Sequence, residues 1–198
     1  MTVTQTLPMT IRADHVSGCK QGRWTYAKYA AIPDDGNRYE VVDGVLYMTP
    51  SPNLGHQGSV THFTAHLFAH VEVPGLGRVF PAPCDVELAS RVVVQPDVVV
   101  VLNSNASIMT PSRIIGAPDL VIEIASPGTA SYDRRTKQDA YARAGVPEYW
   151  IADPSSRTVE VLRLEGNAYQ SLGIFEGEST LPSRVLPDLP VQVSQFFA

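Results

Sequence analysis

Two apolar runs, each opened by Pro-Asp, dominate the middle of the sequence: "QPDVVVVL" at 95–102 and "PDLVIEIASP" at 118–127. A strand with one wet face alternates apolar and polar residues, whereas a run that is apolar at every position has to be covered on both faces. The two runs are therefore expected to be adjacent strands inside a sheet, with a layer on either side. One residue breaks the pattern: Glu123 stands between Ile122 and Ile124. A bare carboxylate buried there costs on the order of several kcal/mol unless a cation or a donor faces it.

The flanking segments supply the other elements. "WTYAKYAAIP" reads as a short helix, stopped because Pro33 disfavours helix at Ile32. "YEVVDGVLYMTP" reads as a hairpin whose Asp43-Gly44 suits a turn with positive φ, and Glu40 lies on its first arm. From Leu54 to about Val73, the residues Val60, Phe63, Thr64, Leu67, Phe68 and Val71 form a stripe at helical spacing. "RVFPAPCDVEL", "RVVVQPDVVVVL" and "APDLVIEIASP" then read as strands, "DRRTKQDAYARAG" as a helix closed by Gly145, and "EYWIADP", "RTVEVLRLEG" and "AYQSLGIFEG" as further strands. This order predicts an α/β (α+β) fold with a central mixed β-sheet flanked by helices. Residues 1–22 show no periodicity and are expected to form an N-terminal arm ahead of a single domain over 23–198.

Adjacent strands would bring Asp97 and Glu123 to one edge of the sheet. Two close carboxylates repel unless a proton or a divalent cation lies between them, and Mg²⁺ suits one or two carboxylates plus waters. The plainer reading has each acid capping a turn or paired with an arginine. On the following helix Lys137 shares a face with Arg134 and Tyr141, beside the small Ala140 and Ala144. That face can approach the sheet; otherwise Lys137 is a solvated helix lysine.

These stretches together, "YEVVDGVLYMTPSP", His56 after it, "QPDVVVV", "PDLVIEIASP", a lysine on the next helix and "YARAGVPEYWIADP", resemble the Uma-two family of putative restriction endonucleases. That family is a branch of the PD-(D/E)xK nuclease superfamily, and the resemblance runs from about residue 25 to the C-terminus. It implies a restriction-endonuclease-like core and metal-dependent hydrolysis of phosphodiester bonds in DNA. Asp97, Glu123 and Glu40 would hold Mg²⁺ (or Mn²⁺), and a lysine would position the attacking water. The superfamily's acid-x-lysine spacing would put that lysine at position 125, where the chain has Ala125, so Lys137 takes the role. His56 and Tyr141 fall at the expected edge of the site, Arg134, Arg135 and Arg143 are expected to meet phosphates, and a homodimer would match the two strands of a duplex.

The remaining features weigh less. Net charge is −5, from 15 basic and 20 acidic residues, so DNA binding requires a local basic patch. His62, His66 and His70 recur at i, i+4 and i+8 on the side of the helix away from the stripe, without the glutamate of a zinc-protease motif. At least one of Tyr149 and Trp150 is read as packed in the sheet or a subunit interface rather than stacked on bases. Two distant cysteines suit reduced thiols, and no leader or membrane span is apparent, so a soluble cytoplasmic protein is expected. Hydrolysis of a small phosphorylated substrate, or a nuclease fold kept as a non-catalytic binding module, fits the same residues.

Overall fold

The computed structural model describes residues 10–126 and 133–197, with the backbone alone at 133 and 134. In chain order the elements are β1 (Ile11–Arg12), α1 (Tyr26–Tyr29), β2 (Arg38–Val42), β3 (Val45–Thr49), α2 (Leu54–Leu67), β4 (Gly77–Pro81), β5 (Val86–Ala89) and β6 (Val92–Val94). They continue with β7 (Val98–Leu102), β8 (Ile114–Ile115), β9 (Leu120–Ile124), α3 (Gln138–Ala144), β10 (Glu148–Asp153), β11 (Thr158–Glu165) and β12 (Ala168–Glu176). A π-helical turn over Phe68–Glu72 extends α2, and another over Asp133–Lys137 leads into α3.

The expected α/β class holds, but the single central sheet is two sheets. One is ordered β1-β3-β2-β6-β5-β8, the other β12-β11-β10-β9-β7-β4. Each is mixed, since β5 runs parallel to β8 and β9 parallel to β10, while the other pairs are antiparallel. The division comes from proline. "RVVVQPDVVVVL" is broken at Gln95-Pro96-Asp97, so that β6 lies in the first sheet and β7 in the second; "RVFPAPCDVEL" is divided in the same way into β4 and β5 around Ala82-Pro83. Proline lacks the N–H that a ladder needs, so each run ends one strand and starts another.

The two valine-rich runs are neighbours, antiparallel, with Val98 opposite Ile122 and Val100 opposite Leu120. Their side chains alternate between two cores. Val98, Val100, Leu120, Ile122 and Ile124 join Phe63, Leu67 and Trp150 on the side covered by α2 and the C-terminal segment. Val99, Val101 and Val121 face the other way, toward Val42, Val86 and Val94 of the first sheet and Tyr141 of α3. Glu123 has the parity of Val121, so it points between the two sheets. Glu40 has the parity of Val42 on β2 and faces the same interior.

A third cluster packs Ala13 and Trp24 on the outer side of β2 and β3, where β1 also pairs with β3. The described part of the N-terminal arm is thereby docked on the hairpin. The Asp43-Gly44 turn has φ of 52° and 76°, as a primed hairpin turn requires. A Cβ on Gly44 would also meet the Gly22 carbonyl at 2.6 Å, so the turn and the arm depend on the same missing side chain. Tyr149 and Trp150 are fully buried, and along the expected stripe Phe68 is the exception, half exposed where the π-helical turn rotates it outward.

Candidate active site

The strand break at Gln95-Pro96-Asp97 places Asp97 just ahead of β7, beside the end of β9. Its Oδ2 accepts the Ile124 N–H at 2.8 Å and faces His56 Nε2 at 3.1 Å. His56 is brought there by the first turn of α2, whose cap is the Asn53 side chain accepting the His56 N–H at 2.9 Å. Burial by itself would raise the Asp97 carboxyl. The hydrogen bond and charge of His56, the Ile124 N–H and the Lys137 ammonium outweigh it and hold the group below the ordinary carboxylate range. Asp97 is therefore an ionised acceptor, and the proton between the two groups sits on His56 Nε2. His56 Nδ1 is buried without a partner among the described residues.

The other two acids meet over Lys137. Its Nζ lies 2.9 Å from Glu40 Oε1 and 2.5 Å from Glu123 Oε1, and all three side chains are at most 4% exposed. Tyr141, one helical turn on, donates to Glu123 Oε1 at 2.6 Å. Burial, then the charges of Glu123 and Glu40, push its hydroxyl well above the usual tyrosine value, so it remains a donor. Glu40 Oε1 also accepts the Gln95 N–H at 2.7 Å, while Glu40 Oε2 is buried with no partner among the described residues. Glu123 thus answers the question posed by its sequence: an ammonium and a phenol face it.

The structure brings together Glu40, Asp97, Glu123, Lys137, His56 and Tyr141. It does not gather Arg135 or Arg143 with them. Arg143 Nη2 donates to both carboxylate oxygens of Asp43 at the hairpin turn, at 2.9 and 3.1 Å, Arg135 is exposed, and the Arg134 side chain lies outside the described residues. His62, His66 and His70 are half-buried; His66 packs edge-on against Phe196, and burial lowers its imidazole. Sequence reasoning missed Gln95, which sits directly before the Pro-Asp it quoted and contacts Glu40.

The donor chemistry suits a hard divalent cation. Among the described residues three carboxylates outnumber the one lysine and Glu40 Oε2 has no partner, and Mg²⁺ needs only one or two carboxylates because it retains waters. Among the described residues no three His, Cys, Asp or Glu side chains form a ready-made cage. A pocket of about 280 Å³ lined by Asn53, Gly55, His56, Ala125, Ser126, Pro154 and Ser155 reaches His56, the partner of Asp97.

Comparison with known proteins places this geometry in context. The family described as "Uma2: Putative restriction endonuclease" matches over residues 26–194. No curated protein sequence matches the chain. Among solved structures, the fold is similar to that of a putative nuclease belonging to DUF820 from Anabaena variabilis ATCC 29413. The TM-score is 0.74 and the identity 20%, over 88% of this chain and 97% of that one. Among the described residues no helix is long and apolar enough to cross a membrane.

Proposed function

The chain belongs to the Uma2 family, described as "Putative restriction endonuclease", and from that membership and the buried acid cluster we propose that it is a metal-dependent endonuclease hydrolysing phosphodiester bonds in DNA. The observation that carries the reading is the meeting of two carboxylates, Glu40 of β2 and Glu123 of β9, on the buried Lys137, with Asp97 at the head of β7 paired to His56 and within reach of the same lysine's charge. A structural ion pair would need one acid for one base. The surplus of negative charge, with Glu40 Oε2 unpartnered among the described residues, favours a divalent cation as the missing partner.

Asp97, Glu123 and Glu40 would hold Mg²⁺ or Mn²⁺. When bound, such an ion supplies Lewis-acid stabilisation of phosphate charge and lowers the pKa of water. The chain's own residues do the rest. Lys137, held between Glu40 and Glu123, orients the attacking water and offers positive charge to the phosphate. Tyr141 fixes Glu123 by donating to it, and His56 fixes Asp97 in the same way. Phosphate contacts along the strand fall to Arg135 and its neighbours on the segment leading into α3. A duplex presents two scissile strands, and a homodimer with twofold symmetry offers a site to each.

The test is cleavage of supercoiled plasmid with Mg²⁺ or Mn²⁺ by wild type, Asp97→Ala, Glu123→Ala and Lys137→Ala. Nicking or linearisation that all three variants lose supports the reading; retention in Lys137→Ala removes that lysine from the chemistry. One observation favours a second reading, a nuclease fold that binds without cutting: the acids already have protein partners in Lys137, Tyr141 and His56. Absence of both cleavage and calorimetric Mn²⁺ binding in wild type decides for it.

A further inference from the structure

Glu40 is held by a residue that is neither basic nor close to it in sequence. Its Oε1 takes the Gln95 backbone N–H at 2.7 Å as well as Lys137 Nζ, which pins one oxygen and leaves Oε2 buried without a partner among the described residues. Gln95 lies in the break between β6 and β7, where no ladder fixes its backbone. Its own side chain does so instead. The amide nitrogen donates to Tyr29 Oη at 3.0 Å and to Asp85 Oδ1 at 2.8 Å. The amide oxygen accepts from Arg38 Nε at 3.3 Å, and the Gln95 carbonyl from Arg38 Nη2 at 3.2 Å.

Acceptors on the nitrogen side and a cation on the oxygen side allow the amide only one orientation. Tyr29 closes the network by donating to Asp85 Oδ1 at 2.8 Å. Burial and then the Asp85 charge raise its hydroxyl, so it stays a donor. Every polar group of Gln95 is thus engaged, and the net result is one N–H aimed at one carboxylate oxygen.

We infer that Gln95 is a positioning residue: with Tyr29, Asp85 and Arg38 it holds its N–H on Glu40 Oε1, so that Oε2 is presented to a divalent cation. The cation rests on the nuclease reading; the geometry does not. Outer hydrogen-bond partners of metal-binding carboxylates typically change metal affinity 10- to 100-fold when removed.

The test uses the full chain as Gln95→Ala, Glu40→Gln and the double variant, with two readouts. In proton–nitrogen NMR, the residue-95 amide proton of wild type lies downfield because it donates to a carboxylate. It is expected to move upfield in both single variants and no further in the double. In calorimetry with Mn²⁺, Gln95→Ala is expected to bind about tenfold more weakly, and the double variant no more weakly than Glu40→Gln, because the two act through one contact. An amide that stays downfield in Gln95→Ala, or affinity losses that simply multiply in the double variant, overturns the inference. Should Gln95→Ala fail to fold, Tyr29→Phe removes one hydroxyl from the network and is read in the same way. Wild type that binds no Mn²⁺ overturns the nuclease reading instead, and the amide shift still decides whether Gln95 positions Glu40.

Discussion

Lys137 is shared by two buried acids, so replacing it strips a cation from both at once. Breaking a buried ion pair from one side costs about 3–5 kcal/mol, and Lys137→Met is expected to lose that much in denaturant unfolding without metal. Added Mn²⁺ is expected to return part of it, because the ion takes over the neutralising charge. Tyr141→Phe keeps the ring in the core but removes the donor to Glu123; a hydrogen bond to a charged group is worth about 1.5–3 kcal/mol, and the same measurement checks it. Asp97 carries a pH signature. Its folded carboxyl titrates below the unfolded value of about 3.9, so its contribution to stability is complete above that value and is lost as pH falls through the lower folded one. The stability gap between wild type and Asp97→Asn is therefore expected to narrow in unfolding series taken below about pH 4. The need of Glu123 for a partner was legible from its apolar neighbours, and Lys137 and Tyr141 from their helical spacing. The Gln95–Glu40 and His56–Asp97 contacts were not, because they join segments that only the tertiary fold brings together.

At the scale of elements, pattern and structure agree wherever one period runs unbroken. The Asp-Gly hairpin, the stripe of α2 and the paired valine runs all have local causes, and all are present. They part company at the prolines. A continuous apolar run looks like one strand, yet Pro96 and Pro83 divide such runs between two sheets, and hydrophobicity alone gives no sign of which half goes where. That division builds the candidate site, since it frees Gln95 and Asp97 from the ladders and leaves them at the junction of the sheets. The helix α2 has a second task besides carrying His56. Phe63 is fully buried and stacks on Phe196 with ring centroids 4.1 Å apart. Phe63→Ala is expected to cost about 3–5 kcal/mol, seen as a lowered thermal midpoint, and to disturb metal binding only through that loss.

For the whole molecule, net charge of −5 means that attraction to DNA must be local, and the described basic residues around α3 are few, with Arg143 committed to Asp43. The second sheet is closed by residues far along the chain: Leu181, Leu186, Leu189, Val191, Val193 and Phe196 all belong to its core. The Val193 and Ser194 N–H groups tie that segment to the Ser179 and Gly177 carbonyls at 2.9 and 2.8 Å. A chain ended after Pro190 is expected to lose cooperative unfolding, with a shallow denaturant transition in place of a sharp one. None of this was visible in "VSQFFA", which is too short to show a period; its burial depends on the groove that α2 leaves. Phe63 and Phe196 are separated by 133 positions (196 minus 63). During synthesis the apolar face of α2 therefore emerges from the ribosome long before the residues that cover it. Nascent chains stalled short of Phe196 should offer that face to chaperones, and only release of the later segment hides it.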